Sequence, residues 1–210
     1  MIDPANILLF IAAATVIAVS PGPGIFYVAA RTLSGGRSDG LASSFGTGLG
    51  GLVHVVAGAL GVSAIVMASA EAFTVLKLVG AIYLVWLGIR TLREARAPLL
   101  LDAVAATRPA QAFREGVVVE ALNPKTAAFF LAFVPQFVDP AQGSIAAQFV
   151  MLGVISVTLN TLADVIVVYL AGSVRKGGLR RPDLVRRMRA GSGLVLCGLG
   201  LSLAFARRPV

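Results

Sequence analysis

Six long apolar stretches dominate this 210-residue chain. A helix crossing a hydrocarbon core of ~30 Å needs about 20 mainly apolar residues. The stretches run from about Ala5 to Ala30, about Leu41 to Ser69, Ala72 to about Leu92, about Phe113 to Val138, Ser144 to Gly172 and about Ala190 to Ala206. Their apolar character is continuous, whereas barrel strands are short and alternate. Composition agrees: 57% of residues are apolar and 13% charged. A soluble domain carries about 25% charged residues. These values exclude a soluble enzyme, a disordered chain and a disulfide-rich secreted domain. The expectation is an all-α polytopic membrane protein of six transmembrane helices.

The formal charge of +8 lies between the apolar runs rather than on a water-facing surface, so nucleic acid is not its partner; the lipid bilayer is. Of the 18 basic residues, fourteen fall in the first, third and fifth connections. They are Arg31 and Arg37, then Arg90, Arg93, Arg96, Arg108 and Arg114, then Arg175, Lys176, Arg180, Arg181, Arg186, Arg187 and Arg189. The positive-inside bias puts these loops in the cytoplasm and both termini outside, in a cell membrane. The start, Met1-Ile2-Asp3-Pro4, has no basic n-region, so it reads as part of the mature chain. Cys197 is the sole cysteine, which excludes an intramolecular disulfide and a CxxC site. The connections at 96–112 and 175–189 are too short for a soluble domain. Function therefore lies within the bundle.

The two halves, about 1–95 and 113–210 with a cytoplasmic linker at about 96–112, match in layout. Each opens with a helix broken by proline: Ser20-Pro21-Gly22-Pro23-Gly24 and Asn123-Pro124-Lys125. A three-span unit repeated once has inverted topology, and paired interrupted helices point to a transporter binding site. A lone proline is an ordinary kink of membrane helices. Two prolines flanked by glycines, matched in the other half, open more than one turn. They free backbone groups that survive only inside protein or beside a wet cavity. Helix ends also carry partial charge, so a zwitterion finds both signs there.

Charged groups at mid-bilayer cost about 2.5–3.5 kcal/mol each on insertion scales. Those within the spans are His54, Glu120, Lys125 and Asp164, with Asn160 nearby; Lys77 is close enough to an end to snorkel. Asp164 is either an interhelical hydrogen-bonding group or a proton carrier. Histidine is the side-chain type suited to proton exchange at physiological pH, but a single one such as His54 is more often a satisfied bundle residue. Glu120 either pairs with Lys125 or Arg114 or meets substrate. The glycines from Gly46 to Gly61 form a small-residue face for close helix approach, within a subunit or across a homodimer.

These residues resemble the LysE-type amino-acid exporters, in particular the RhtB (homoserine/threonine efflux) subgroup. The likeness rests on Ser20-Pro-Gly-Pro-Gly24, the Gly46–Gly61 segment with His54, and Leu76-Lys-Leu-Val-Gly-Ala-Ile-Tyr-Leu-Val-Trp-Leu-Gly88. It extends to Ala121-Leu-Asn-Pro-Lys125, Phe129-Phe130 and Phe133-Val-Pro-Gln-Phe137, and covers nearly the whole chain. It implies six helices and proton-coupled export of amino acids or their derivatives, across members handling threonine, homoserine, leucine, lysine, cysteine or arginine. It also implies an acidic group in the fifth span, here Asp164.

The resulting expectation is a proton antiporter without cofactor or metal. Ser20, Pro21, Gly22, Pro23 and Gly24 face Asn123, Pro124 and Lys125 across a midplane substrate site; Asp164, with Glu120 or His54, exchanges the proton. No GxxxxGK[ST] motif is present for ATP. Two other functions fit the chain less well. An intramembrane enzyme wants a nucleophile–base pair or metal set that one histidine, one cysteine and no HExxH do not supply, leaving only Asp164 with Glu120 as an aspartyl pair. A divalent-metal exporter wants repeated His, Asp or Met ligands, which the spans lack.

Overall fold

The computed structural model describes residues 4–68, 70–95, 108–177 and 182–205. Among them there is no strand. The helices are α1 (Pro4–Val19), α2 (Pro23–Gly35), α3 (Arg37–Ala68), α4 (Ala70–Glu94), α5 (Pro109–Ala121), α6 (Pro124–Ala128), α7 (Ile145–Gly177) and α8 (Pro182–Phe205). A π turn at Phe129–Phe133 and a 3-10 turn at Val134–Phe137 continue α6. Most of the expected linker, 96–107, lies outside the described residues, as do 178–181 of the fifth connection and the terminal Arg207 and Arg208.

Among the described residues three helices are long and apolar enough to cross a membrane: Arg37–Gly61, Thr74–Glu94 and Ile145–Ser173. Two bent pairs raise the number to five, α1 with α2 at 48° and α5 with the Pro124–Phe137 segment at 42°. The sixth expected stretch lies in α8, which packs along α4. The fourth stretch begins earlier than the apolar pattern suggests. Pro109 stands in the first turn of α5, where its fixed φ suits a helix start; the polar turn before Phe113 is already helical.

Large apolar side chains point outward: Leu122 is 76% exposed, Leu60 71% and Ile82 70%. Such patches cover the helices on their outer faces, as lipid contact requires. The interior is aromatic instead. Phe10, Phe129, Phe130 and Phe149 are fully buried together with Leu84, Leu152 and Leu196.

With apolar solvent outside, association depends on close packing rather than on the hydrophobic effect. Three seams meet that need. On α3, Gly46 and Gly50 lie against the backbone carbonyls of Phe113 and Val117 on α5. The next face of α3 sets Gly48 against Thr161 and Gly51 against Val157 of α7. Between α4 and α8, β-carbons on Gly193 and Gly200 would lie 2.7 Å from the carbonyls of Gly88 and Ala81.

Gly46→Ala drives a methyl into the Phe113 carbonyl, whereas a β-carbon on Gly61 meets nothing within 4 Å. Overpacking costs about 1–3 kcal/mol, outweighing the ~1 kcal/mol helix preference of alanine over glycine. Thermal unfolding in detergent should show Gly46→Ala destabilised and Gly61→Ala unchanged or stabilised.

Candidate functional site

Each proline break leaves a carbonyl without its helical donor, because proline at position i has no N–H for the oxygen at i−4. For Pro21 that oxygen belongs to Ile17; for Pro124 it belongs to Glu120. Each oxygen accepts one backbone N–H from three residues on, Ser20 to Ile17 at 3.1 Å and Asn123 to Glu120 at 3.0 Å, and the fold adds a second donor from the opposite half of the chain. Lys125 Nζ donates to the Ile17 carbonyl at 3.0 Å and to the Ser20 carbonyl at 2.7 Å. His54 Nε2 meets the Glu120 carbonyl at 2.9 Å, its ring stacked on Phe130 with centroids 6.0 Å apart.

The second break builds its own cap. Helix α5 ends at Ala121 and α6 starts at Pro124, so Asn123 sits at an N-cap position with extended φ and ψ. Its Oδ1 accepts from the Lys125 backbone N–H at 3.0 Å, the usual reward for asparagine there. Asn123 Nδ2 then donates to Glu120 Oε2 at 2.9 Å, and Thr126 Oγ1 to Glu120 Oε1 at 2.6 Å. Glu120 is thus hydrogen-bonded by two neutral donors, where the sequence suggests an ion pair with Lys125 or Arg114 or a contact with substrate.

The first break has no side-chain cap of its own: Gly22 stands before α2 without one. Its ends are served across the interface. A β-carbon on Gly24 would lie 2.6 Å from Glu120 Oε2, and one on Gly22 3.3 Å from Lys125 Nζ. A carboxylate therefore rests against the N-terminal turn of α2 and an ammonium against the C-terminal turn of α1. Both placements oppose the helix dipoles. The glycines leave the room for this approach.

Ser20, Asn123, Lys125 and Glu120 are all at most 5% exposed. Glu120 and Lys125 also border a cavity of about 20 Å³, together with Ile17, Thr47, Gly51, Thr126, Phe130, Ser156 and Asn160. It has room for about one water molecule, too little for an amino acid. Asp164 on α7 is fully buried; its Oδ2 accepts from Thr47 Oγ1 at 2.8 Å, while Oδ1 has no partner. The structure thus gathers Ser20–Gly24, Asn123–Lys125, Glu120 and His54 directly. Asp164 joins through Thr47, which lines the same cavity.

Two closures flank the cavity. Toward the basic connections, Arg31 pairs with Glu115, and Tyr27 donates to the Ala112 carbonyl at 2.8 Å, joining α2 to α5. Toward the other end, Phe10 meets Phe137 edge-on at 5.2 Å and Phe129 at 6.1 Å. In the sequence Arg31 bears only on orientation, and no local pattern marks Tyr27, Glu115, Thr47 or Thr126 as site residues. The one available signal was i,i+4 spacing, Tyr27 to Arg31 and Gln111 to Glu115, which marks shared faces without naming partners. The described residues contain no group of three or more His, Cys, Asp or Glu placed for a metal ion.

Comparison with known proteins adds a family. The model of the LysE type translocators matches residues 15–207. An uncharacterised membrane protein of Vibrio cholerae is 35% identical over 95% of this chain and 97% of its own. The homoserine/homoserine lactone efflux protein of Salmonella typhimurium is 30% identical over 94% and 95%. The threonine efflux protein of Escherichia coli is 27% identical over 96% and 100%. No solved structure matches. Two helix breaks joined inside a lipid-facing bundle and a family match over nearly the full length lead to one conclusion: this multi-pass membrane protein belongs to the LysE type translocator family, and is a transporter rather than an enzyme.

Proposed function

We propose that the chain exports amino acids or their close derivatives from the cytoplasm by proton antiport, through alternating access around the paired helix breaks. The observation carrying this reading is the small cavity beside which Lys125 crosses to the Ile17 and Ser20 carbonyls. The substrate class follows from the relatives, named for efflux of homoserine, homoserine lactone and threonine. Homoserine and its lactone share an α-ammonium but not a free carboxylate; the ammonium is their common handle. In the proposed complex, backbone groups of Ser20–Gly24 form one wall. On the other, Lys125 and Asn123 receive the carboxylate or carbonyl oxygens.

Asp164 is the proposed proton carrier, with Glu120 or His54 as its partner in exchange. Its open Oδ1 offers a place for the proton, and Thr47 ties it to the cavity wall. Moving one charge across 100 mV is worth ~2.3 kcal/mol, so at ~150 mV one inward proton sustains a zwitterion gradient of a few hundredfold. Opening toward the cytoplasm separates α2 from α5, breaking Arg31–Glu115 and Tyr27–Ala112; opening outward separates the Phe10 and Phe137 rings.

The six-span inverted repeat remains part of this proposal. Helix pairing supports it: exchanging α1–α2 with α5–α6, α3 with α7, and α4 with α8 maps the α3–α5 contact onto α7 with α1–α2. The α3–α7 and α4–α8 contacts map onto themselves. Both termini then lie outside the cytoplasm in the inner membrane.

Inside-out proteoliposomes given an imposed proton gradient should accumulate homoserine or threonine at a rate that falls at least ten-fold in Asp164→Asn. Gradient-independent uptake that survives the substitution removes the coupling. Pro21→Ala and Pro124→Ala return a donor N–H to Ile17 and Glu120 and straighten the breaks. Both variants should insert and purify normally yet lose at least ten-fold in transport; ordinary rates in both would reduce the prolines to kinks.

A further inference from the structure

We propose that the break in the first helix is a primary-ammonium receptor, and that Lys125 fills it as a tethered stand-in until a substrate's α-ammonium takes its place. This deepens the transport reading above and rests on it. The receptor is the oxygen pair of Ile17 and Ser20, 3.0 and 2.7 Å from Lys125 Nζ. The Ile17 oxygen is the one that Pro21 deprives of its i+4 donor, leaving it the Ser20 backbone N–H at 3.1 Å and a lone pair for the ammonium. A third oxygen belongs to the same turn: the Ser20 hydroxyl, on a residue 4% exposed, has no hydrogen-bond partner. An ammonium brings three N–H donors. The stand-in uses two, and a small mobile ammonium free of the lysine tether is able to turn its third toward Ser20.

The occupant is replaceable because it reaches the receptor as a side chain from another helix, over a glycine. A β-carbon on Gly22 would lie 3.1 Å from Lys125 Cδ and 3.3 Å from Cε, so the lysine stem runs over a surface kept bare for it. Withdrawal of that stem enlarges the cavity it lines. The exchange is between equals. One ammonium leaves two buried carbonyls as another arrives, so the Ser20 carbonyl is not stripped of its donor and the Ile17 carbonyl keeps a second beside the Ser20 N–H; such a loss is costly in an apolar interior. Glu120 stays in place on Asn123 and Thr126, and its carboxylate offsets whichever cation is present. The displaced Lys125 is then free for the substrate's carboxylate or carbonyl. A molecule without an ammonium has no means of evicting it, which makes the empty carrier self-blocked against hydroxy acids and neutral solutes.

The test uses methylammonium as probe and the full chain purified in detergent, with no transport step. Lys125→Ala empties the receptor; Lys125→Met empties it while keeping most of the stem's volume, guarding against a packing defect in the first variant. In equilibrium dialysis with labelled methylammonium, the folded variants should bind saturably and at least ten-fold more tightly than the unsubstituted chain. Methylammonium should also raise their melting temperatures, whereas tetramethylammonium, a cation without N–H donors, should not. Absence of saturable binding in both variants, equal binding by the unsubstituted chain, or an equal response to tetramethylammonium each overturns the proposal. Failure of amino-acid export in proteoliposomes would instead strike the transport reading and leave this binding result standing.

Discussion

A carbonyl oxygen deprived of its helical donor by proline, inside a membrane, must find another donor or the helix cannot stay there. Two such oxygens organise this molecule. Ile17 is supplied by Lys125, 108 residues away, and Glu120 by His54, 66 residues away. Each bond runs from one half of the chain to the other. Each oxygen also accepts a backbone N–H from its own half, Ser20 to Ile17 and Asn123 to Glu120, so the crossing bonds couple the two breaks by adding a second donor to each. The same crossing sets a carboxylate against the start of α2 and an ammonium against the end of α1, so the charges within the bilayer have defined partners.

That crossing depends on how near the helices come. Gly46, Gly50 and Gly116 let α3 and α5 approach to backbone contact, which brings His54 over the end of α5. Gly22 and Gly24 do the same for Lys125 and Glu120 at the first break. Small residues thus do for this bundle what large apolar ones do for a soluble core. The large apolar side chains are left to face lipid, and the buried phenyl rings fill the space that glycine does not close.

Much of this frame is legible in the chain itself. Apolar run length gives the helices, and proline chemistry gives the two bends, because both act over a few residues. The residues at those bends are equally legible, since only backbone-breaking sequences look like Ser20–Gly24 or Asn123–Lys125. Their bonding is not. Lys125 reads as a cation awaiting an anion, yet it rests on carbonyls; Glu120 reads as half of an ion pair, yet it is held by an amide and a hydroxyl. His54 reads as a titrating group, yet it serves a backbone oxygen. The partners lie on separate helices, and their meeting is fixed by packing angles that no local spacing encodes. The π turn at Phe129–Phe133 is invisible for the same reason: it re-aims rings whose neighbours come from α1 and α7.

The closures at the two ends of the cavity differ in kind. One is a guanidinium on a carboxylate with a phenol beside them; the other is a stack of hydrocarbon rings. Water entering the first mouth hydrates the ions as it parts them, so that the act of wetting lowers the work of parting. Water entering the second meets only phenyl faces and is repelled. A scaffold that treats its two leaflets alike would consequently rest with an easier door on the ionic side. Vectoriality, in such a carrier, is written in a handful of side chains rather than in the course of the backbone.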